Sequence, residues 1–315
     1  MKNEIKIFYS KEWHGEGIGE TGYELLDTGE GEKLERFGPH TFVRPYEEAF
    51  WKKTLPKKDW ENISGKFWSS KGGAKAGWKM HAEGEALRKW EMSYKGIKFL
   101  ASPTPFRHLG FFPEQAPCWD IIEAKIKQAI ASKQKENSAS GQGKPKFLNL
   151  FGYTGVASLF ALRAGAEVTH LDASKQILKW AKENQDNAGL AGLPMRVIED
   201  DVMKFLEREE KRGNKYDAII MDPPKFGRGP KGEIWKLEEN LPKLLAQARK
   251  VLSAKPLFII LTSYATDSSS LSTGYALEEM MRDFEGDVES GELCALEKSN
   301  GRTIPLSNTA IWSPK

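Results

Sequence analysis

From Lys146 onward, short apolar runs alternate with amphipathic segments, and this alternation constrains the chain more than any other feature. FLNLF, EVTHLD, MRVIED, YDAIIMD and LFIILTSYA read as strands. Between them VASLFALRAGA, SKQILKWAKENQDNAG, VMKFLEREEKRG and LEENLPKLLAQARKVL read as helices, with Ser174 placed to cap one and Gly165 and Gly189 placed to end two. Strands joined through helices of this length pair in parallel, with right-handed crossovers. Their near-continuous apolar character fits strands covered on both faces. A helix is expected near 275–285, followed by ELCALEK and NTAIWS as a closing antiparallel pair. The expected fold class is α/β: a doubly wound, Rossmann-like sheet of seven strands, the last one antiparallel.

The text ahead of this region has another character. Residues 1–20 read as a loose N-terminal arm, and 21–105 as a small, mostly β domain. Gly29, Gly31 and Gly38-Pro39 mark turns there, and Pro45 and Pro56 argue against long helices. SGKFWSSKGGAKAGWKM reads as a mobile hairpin or loop, and KWEMSYKGIKFLAS as a strand pair turning at Lys95-Gly96. A helix near Pro117 follows, with Trp119, Ile122, Ile126 and Ile130 along one face. It runs out in SKQKENSASGQGKPK, a polar connection expected to be disordered. Residues 106–315 are expected to form the second domain, in keeping with a 315-residue chain.

No apolar run approaches the roughly 20 residues that span a bilayer. The charged start, Met-Lys-Asn-Glu-Ile-Lys, leads into no apolar signal segment. A cytoplasmic protein with no membrane contact is expected. The two cysteines, Cys118 and Cys294, suit neither a disulfide framework nor a cysteine zinc site, and no metal is expected. The formal net charge of +3 is only slightly basic. Residues 51–100, however, carry 12 Lys/Arg against 5 Asp/Glu, and five of the ten tryptophans. Interleaved cations and aromatics can track phosphates and stack on bases. The same composition also describes a small β domain with a tryptophan core and a lysine-rich solvated face.

In an open α/β sheet, ligands bind beyond the carboxyl ends of the strands. Phe151-Gly152-Tyr153-Thr154-Gly155 follows the first strand, and its spacing is not the dinucleotide G-x-G-x-x-G. Asp172 ends the second strand, where an acid can accept both ribose hydroxyls or simply complement a helix dipole. Asp200-Asp201 follows the third, one carboxylate being placed to meet an adenine amino group and the other to cap a helix. Asp222-Pro223-Pro224-Lys225-Phe226 follows the fourth, and its two prolines fix an extended backbone bearing acceptors beside a stacking face.

With these residues in this order, the segment from FLNLFGYTG to YDAIIMDPPKF resembles the class I S-adenosylmethionine-dependent methyltransferases. Within them it is similar to the branch of bacterial 23S rRNA methyltransferases that modify cytosine C5 or guanine N7. FRHLGFFPEQ, residues 106–115, resembles the family segment that closes over the cofactor. The resemblance implies that Asn149, Phe151, Gly152, Tyr153 and Gly155 surround the methionine part of S-adenosylmethionine. It implies that Asp172 holds the ribose, with Ala173 and Ser174 beside it, and that Asp201 and Val202 meet the adenine. Phe106, Arg107, His108 and Gln115 would close over the cofactor, Arg107 near its carboxylate. Asp222, Pro223, Pro224, Lys225 and Phe226 would form the target-side loop. Asp222 and Lys225 are the catalytic candidates, and Pro224 and Phe226 face substrate.

One departure decides the target chemistry. Cytosine C5 is a poor nucleophile, and its methylation needs a thiolate added at C6. Relatives with that activity carry a cysteine after the fifth strand, where this chain has Thr262-Ser263-Tyr264. C5 is therefore excluded, and an RNA base nitrogen, most simply in rRNA, is the expected acceptor by direct in-line transfer. A protein or small-molecule acceptor stays open. Rivals of other classes are an NAD-binding oxidoreductase and a non-catalytic RNA-binding protein.

Overall fold

The computed structural model describes residues 4–13, 20–68, 76–81, 89–135, 143–264 and 268–315. Two compact units emerge: Met1–Phe8, Pro117–Leu293 and Leu306–Lys315 form the larger, and Tyr9–Ala116 with Cys294–Pro305 the smaller.

Strand β1 (Lys6–Phe8) opens the larger unit. The smaller unit then supplies β2 (Tyr23–Gly29), β3 (Glu32–Phe37), β4 (His40–Pro45), helix α1 (Lys57–Glu61), β5 (Gly65–Trp68), β6 (Gly77–Met80), β7 (Trp90–Tyr94) and β8 (Ile97–Ala101). β2 to β6 neighbour one another in order in a five-stranded sheet, antiparallel except for the parallel β4–β5 pair. β7 and β8 form the hairpin expected at Lys95-Gly96, where both residues take positive φ. β5 and β6 pair as the expected hairpin; residues 69–75, between them, lie outside the described residues.

The larger unit continues with α2 (Ala116–Lys135), β9 (Lys146–Leu150), α3 (Val156–Arg163), β10 (Glu167–Asp172), α4 (Lys175–Asn187), β11 (Met195–Glu199), α5 (Val202–Lys211) and β12 (Ala218–Met221). It closes with β13 (Phe226–Arg228), β14 (Ile234–Lys236), α6 (Leu237–Lys250), β15 (Phe258–Ser263), α7 (Ser270–Met281), β16 (Gly286–Leu296) and β17 (Thr303–Pro314). The sheet order is β1-β16-β17-β15-β12-β9-β10-β11. β11, β10, β9, β12 and β15 run parallel, and β17 is antiparallel to β15. The winding reverses between β9 and β12, which is the switch point of a doubly wound sheet.

The central strands bury every residue: four of four in β12 and six of six in β15. Helices cover both faces, as apolar runs require. Leu148, Ile219, Ile259, Phe205 and Leu244 share one cluster. Trp119 of α2 stacks on Phe160 of α3 with ring centroids 5.5 Å apart. Trp119, Ile122 and Ile126 are buried, in keeping with the apolar face read from the sequence. The polar connection after α2 falls largely on residues 136–142, outside the described residues.

Two expectations change. The sheet has eight strands, not seven, because Lys6–Phe8 of the arm pairs in parallel with β16. Any Cβ at Gly291 would collide with the Lys6 carbonyl, so this glycine lets the eighth strand approach. The helix expected at 275–285 spans Ser270–Met281 instead. Its start was hidden in a serine run, of which Ser269 is the N-cap, its Oγ accepting from Leu271 N–H at 3.2 Å.

Candidate functional site

The parallel registers bring Leu150, Asp172, Glu199 and Met221 to one edge of the sheet. The segments beyond them are stitched together by backbone. Gly152 N–H donates to Leu171 O at 2.8 Å, and Asp200 N–H to Asp172 O at 3.2 Å. Phe151, Gly152, Tyr153, Gly155, Asp172, Ala173, Ser174, Asp201, Val202 and Asp222 thus follow, or end, adjacent strands at this edge.

The turn after β9 is held in uncommon conformations. Phe151 and Tyr153 take φ of 59° and 51°, and Gly155 takes 86°. Two non-glycine residues in the left-handed region store strain that the surroundings must offset. They do so through His170, fully buried in β10. Burial lowers its pKa to about 4, against an ordinary 6.5, so the ring is neutral near pH 7. Its Nε2–H donates to Tyr153 O at 3.1 Å. Its Nδ1 accepts from the Ser158 hydroxyl at 3.0 Å, and Ser158 Oγ accepts from Asn149 Nδ2 at 3.0 Å. A carbonyl can only accept, so the chain of bonds fixes the tautomer. Asn149, which the resemblance places at the methionine part, is buried within this chain of bonds.

Asp172 locks the turn from the other side. Its Oδ2 accepts from Tyr153 N–H at 3.0 Å, and its Oδ1 from Ser174 N–H at 2.9 Å. Burial pushes its carboxyl above the ordinary value, and the amides of Ser174, Tyr153 and Ala173 oppose the rise. Ser174 caps α4 through Ile177 N–H, as its position suggested. Asp201 is the N-cap of α5: its Oδ1 accepts from Met203 and Lys204 N–H at 3.1 and 3.0 Å. Of the adjacent pair Asp200-Asp201, the capping role thus falls to Asp201.

Asp222 stands at the end of β12, where its Oδ1 accepts from Thr262 Oγ1 of β15 at 2.6 Å. Thr262, the first residue of the Thr262-Ser263-Tyr264 stretch, therefore orients the Asp222 carboxylate. Pro223 is buried, while Pro224, Lys225 and Phe226 are exposed. Lys225 O accepts from Leu237 N–H at 3.0 Å, which ties the loop to α6. Trp235 was not singled out from the sequence. Its Nε1 donates to Pro224 O at 2.7 Å, and its ring meets Phe151 edge-on, 5.1 Å between centroids. One side chain thus touches both the turn after β9 and the Asp-Pro-Pro loop.

Both cysteines are buried, and neither is in a disulfide. Burial, with the Asp222 carboxylate, pushes the Cys118 thiol well up, which suits packing and not nucleophilic attack. Among the described residues, no group of three or more His, Cys, Asp or Glu is placed to hold a metal ion. No described helix is long and apolar enough to cross a membrane.

Phe106, Arg107, His108 and Gln115 belong to the smaller unit. Their segment is clamped from within it. Arg44 Nη1 donates to Arg107 O at 3.0 Å, and Trp78 Nε1 to Phe106 O at 2.8 Å. Arg44 is itself buried in a two-bond pair with Glu35, at 2.6 and 2.7 Å. Arg44 and Lys33 hold the Glu35 carboxyl down to about 2, against the penalty of its burial. Burial, with the Arg44 charge, lowers His108 to about 3. Phe106 is 71% exposed, and Gln115 is buried in a tight turn after Phe112. Of the basic stretch, Lys53 pairs with Glu32 at 2.8 Å and lies over Trp60, while Lys57 pairs with Glu61. Trp60 and Trp90 are buried, and Trp68 is half exposed.

The family described as conserved hypothetical protein 95 matches residues 122–268. Ribosomal RNA large subunit methyltransferase K of Neisseria meningitidis serogroup B is 30% identical over 154 residues, 47% of this chain and 43% of that protein. Ribosomal RNA large subunit methyltransferase K/L of Alteromonas mediterranea is 30% identical over 221 residues, 70% of this chain and 27% of that protein. The chain therefore spans less than half the length of these curated relatives. A crystal structure described as a SAM-dependent methyltransferase from Agrobacterium tumefaciens is 41% identical, covers 98% of this chain and 94% of its own, and superposes with a TM-score of 0.86. That likeness spans nearly the whole of both chains, and the chain belongs to the class I S-adenosylmethionine-dependent methyltransferases.

Proposed function

We propose that this protein transfers the methyl group of S-adenosylmethionine to a nitrogen of a base in large-subunit rRNA. The observation that carries the reading is the single edge of the sheet at which a strained, His170-locked turn, the Asp172 carboxylate and the Asp222-Pro223-Pro224 loop follow neighbouring strands. The names of the rRNA-modifying relatives support RNA as the acceptor.

The residues present suit the cofactor. Asp172, anchored by two amides and half-buried, is an acceptor for ribose hydroxyls. Asp201 uses Oδ1 for its helix, which leaves Oδ2 for the adenine amino group, with Val202 against the ring. Phe151, Gly152, Tyr153 and Gly155 cradle the methionine part, and Asn149 acts on it through Ser158 and His170. Phe106, Arg107, His108 and Gln115 form the closing segment. When bound, the cofactor would supply an electrophilic methyl group: the nitrogen lone pair forms the new N–C bond, and the C–S bonding pair stays on sulfur. Asp222, oriented by Thr262, accepts or directs the base N–H; Pro224 and Phe226 present a rigid edge and a stacking face. Lys225 supplies a cation beside the loop. No cysteine stands at this edge with a thiol suited to attack, which supports nitrogen over cytosine C5.

The test is transfer from methyl-labelled S-adenosylmethionine to unmodified large-subunit rRNA, followed by nucleoside digestion and mass spectrometry. Label on a base nitrogen is expected. Label only on protein, or on cytosine C5, overturns the reading.

A further inference from the structure

The twelve residues after the Asp-Pro-Pro element, KFGRGPKGEIWK, carry three glycines and a proline. They fold into a two-stranded antiparallel ribbon, in which Phe226 opposes Lys236, Gly227 opposes Trp235 and Arg228 opposes Ile234. Directly opposed residues share a face, and faces alternate along each strand. The ribbon therefore has two unlike sides.

Gly227 and Trp235 form the inner side. Trp235 is only 8% exposed, bonded to Pro224 O and set against Phe151. A Cβ on Gly227 would fall 3.3 Å from Pro224 Cγ, so glycine keeps the ribbon close to the loop. Phe226, Arg228, Ile234 and Lys236 form the outer side. Phe226 and Ile234 are 57% and 61% exposed, and both cations are exposed with them. No carboxylate shares this face. Glu233, in the turn, is engaged by Lys204 Nζ and by Lys231 N–H. Lys236 meets Glu239 of α6 in an exposed pair of the kind that contributes little and is readily exchanged for a phosphate.

Resting on the RNA reading above, we infer that the outer face of this ribbon is the docking surface for an unpaired RNA segment flanking the target base, with Arg228 and Lys236 on phosphates and Phe226 and Ile234 against bases. Two exposed apolar side chains alternating with two cations suit a strand of bases and phosphates. Three-residue strands are too small for a stable protein interface, which buries about 800 Å² per partner. A nucleotide chain can be held one base at a time. The surface also continues into the target loop, since Phe226 lies two residues beyond Pro224. A base presented for methylation must leave its stack, so the RNA beside it is unpaired. Trp235 then keys the RNA-facing ribbon to Phe151 of the cofactor turn, holding the two substrates in one register.

The test uses R228E and I234S in the full chain, both exposed positions outside the cofactor turn. Affinity is measured for an end-labelled stem-loop RNA across salt concentrations, and separately for S-adenosylhomocysteine. Each variant should bind the stem-loop about tenfold more weakly. R228E should lower the slope of log affinity against log salt by about one or more. Homocysteine-product affinity should stay within about twofold, since neither side chain points inward. Unchanged RNA affinity and slope in both variants, with wild-type binding intact, overturns the ribbon's role. Failure of the wild-type chain to bind or methylate RNA overturns instead the RNA reading on which it rests.

Discussion

His170 fills the space that a side chain on Gly152 would need: a Cβ there would fall 2.5 Å from His170 Nδ1. Ring and glycine are thus matched, and the match holds Phe151 and Tyr153 in the left-handed region. Gly152→Ala should displace the ring and weaken S-adenosylhomocysteine binding by about tenfold or more, read by calorimetry. His170→Phe keeps the volume but removes both hydrogen bonds, and should weaken it by about 1–2 kcal/mol. Full affinity in both variants would mean that the turn holds its shape unaided.

The same histidine makes the protein acid-sensitive. Its folded-state pKa of about 4 lies below the ordinary 6.5, so as pH falls the unfolded chain takes up the proton first. This stability is complete above about pH 6.5 and is lost progressively down to about pH 4, reaching about 3 kcal/mol. His108, lowered to about 3, acts with the same sign. Glu35, held at about 2, adds a contribution that fades only below its ordinary 4.5. Urea midpoints measured against pH should fall from about pH 6.5 downward, and His170→Phe should flatten that fall.

Asp201 caps a helix and Asp172 does not, so variants of the two can test cofactor recognition apart from helix capping. Asp172→Ala should weaken cofactor binding by about 1–3 kcal/mol, and Asp172→Asn by less. Asp201→Ser keeps a capping oxygen, so thermal stability should hold while cofactor affinity drops. Asp201→Ala should lose about 1 kcal/mol of stability as well. Calorimetry paired with thermal melts reads both, and an Asp201→Ser variant with wild-type affinity would leave the residue as a cap alone.

Much of this was legible in the sequence because apolar runs and helix caps are local signals. β9 to β12 and β15 came out in order, and so did the strand-end acids. Three things were not. β1 is three largely exposed residues whose place depends on Gly291, nearly three hundred positions away. The β13–β14 ribbon is short, polar and glycine-bearing, so only its pairing reveals it. His170 looked like one polar residue in a strand. A signal existed, since Asn149 and His170 both interrupt apolar runs and buried polar groups need partners. They stand in register on adjacent strands. Within the lysine-rich stretch, Lys53 pairs with Glu32, so a charge reversal there would not report on RNA alone.

Neither thiol should matter for transfer. Cys118→Ser and Cys294→Ala should retain methyl transfer wherever the fold survives, because both side chains are buried and the Cys118 thiol is pushed up. Loss of turnover with cofactor affinity intact would point to a covalent step.

The most direct measurement is the nucleoside inventory of large-subunit rRNA from a strain lacking this protein, compared by mass spectrometry with its parent. One base methylated on nitrogen should be missing, restored by the wild-type chain and not by Asp172→Ala. An unchanged inventory, or the loss of 5-methylcytidine instead, would contradict methyl transfer to an RNA base nitrogen.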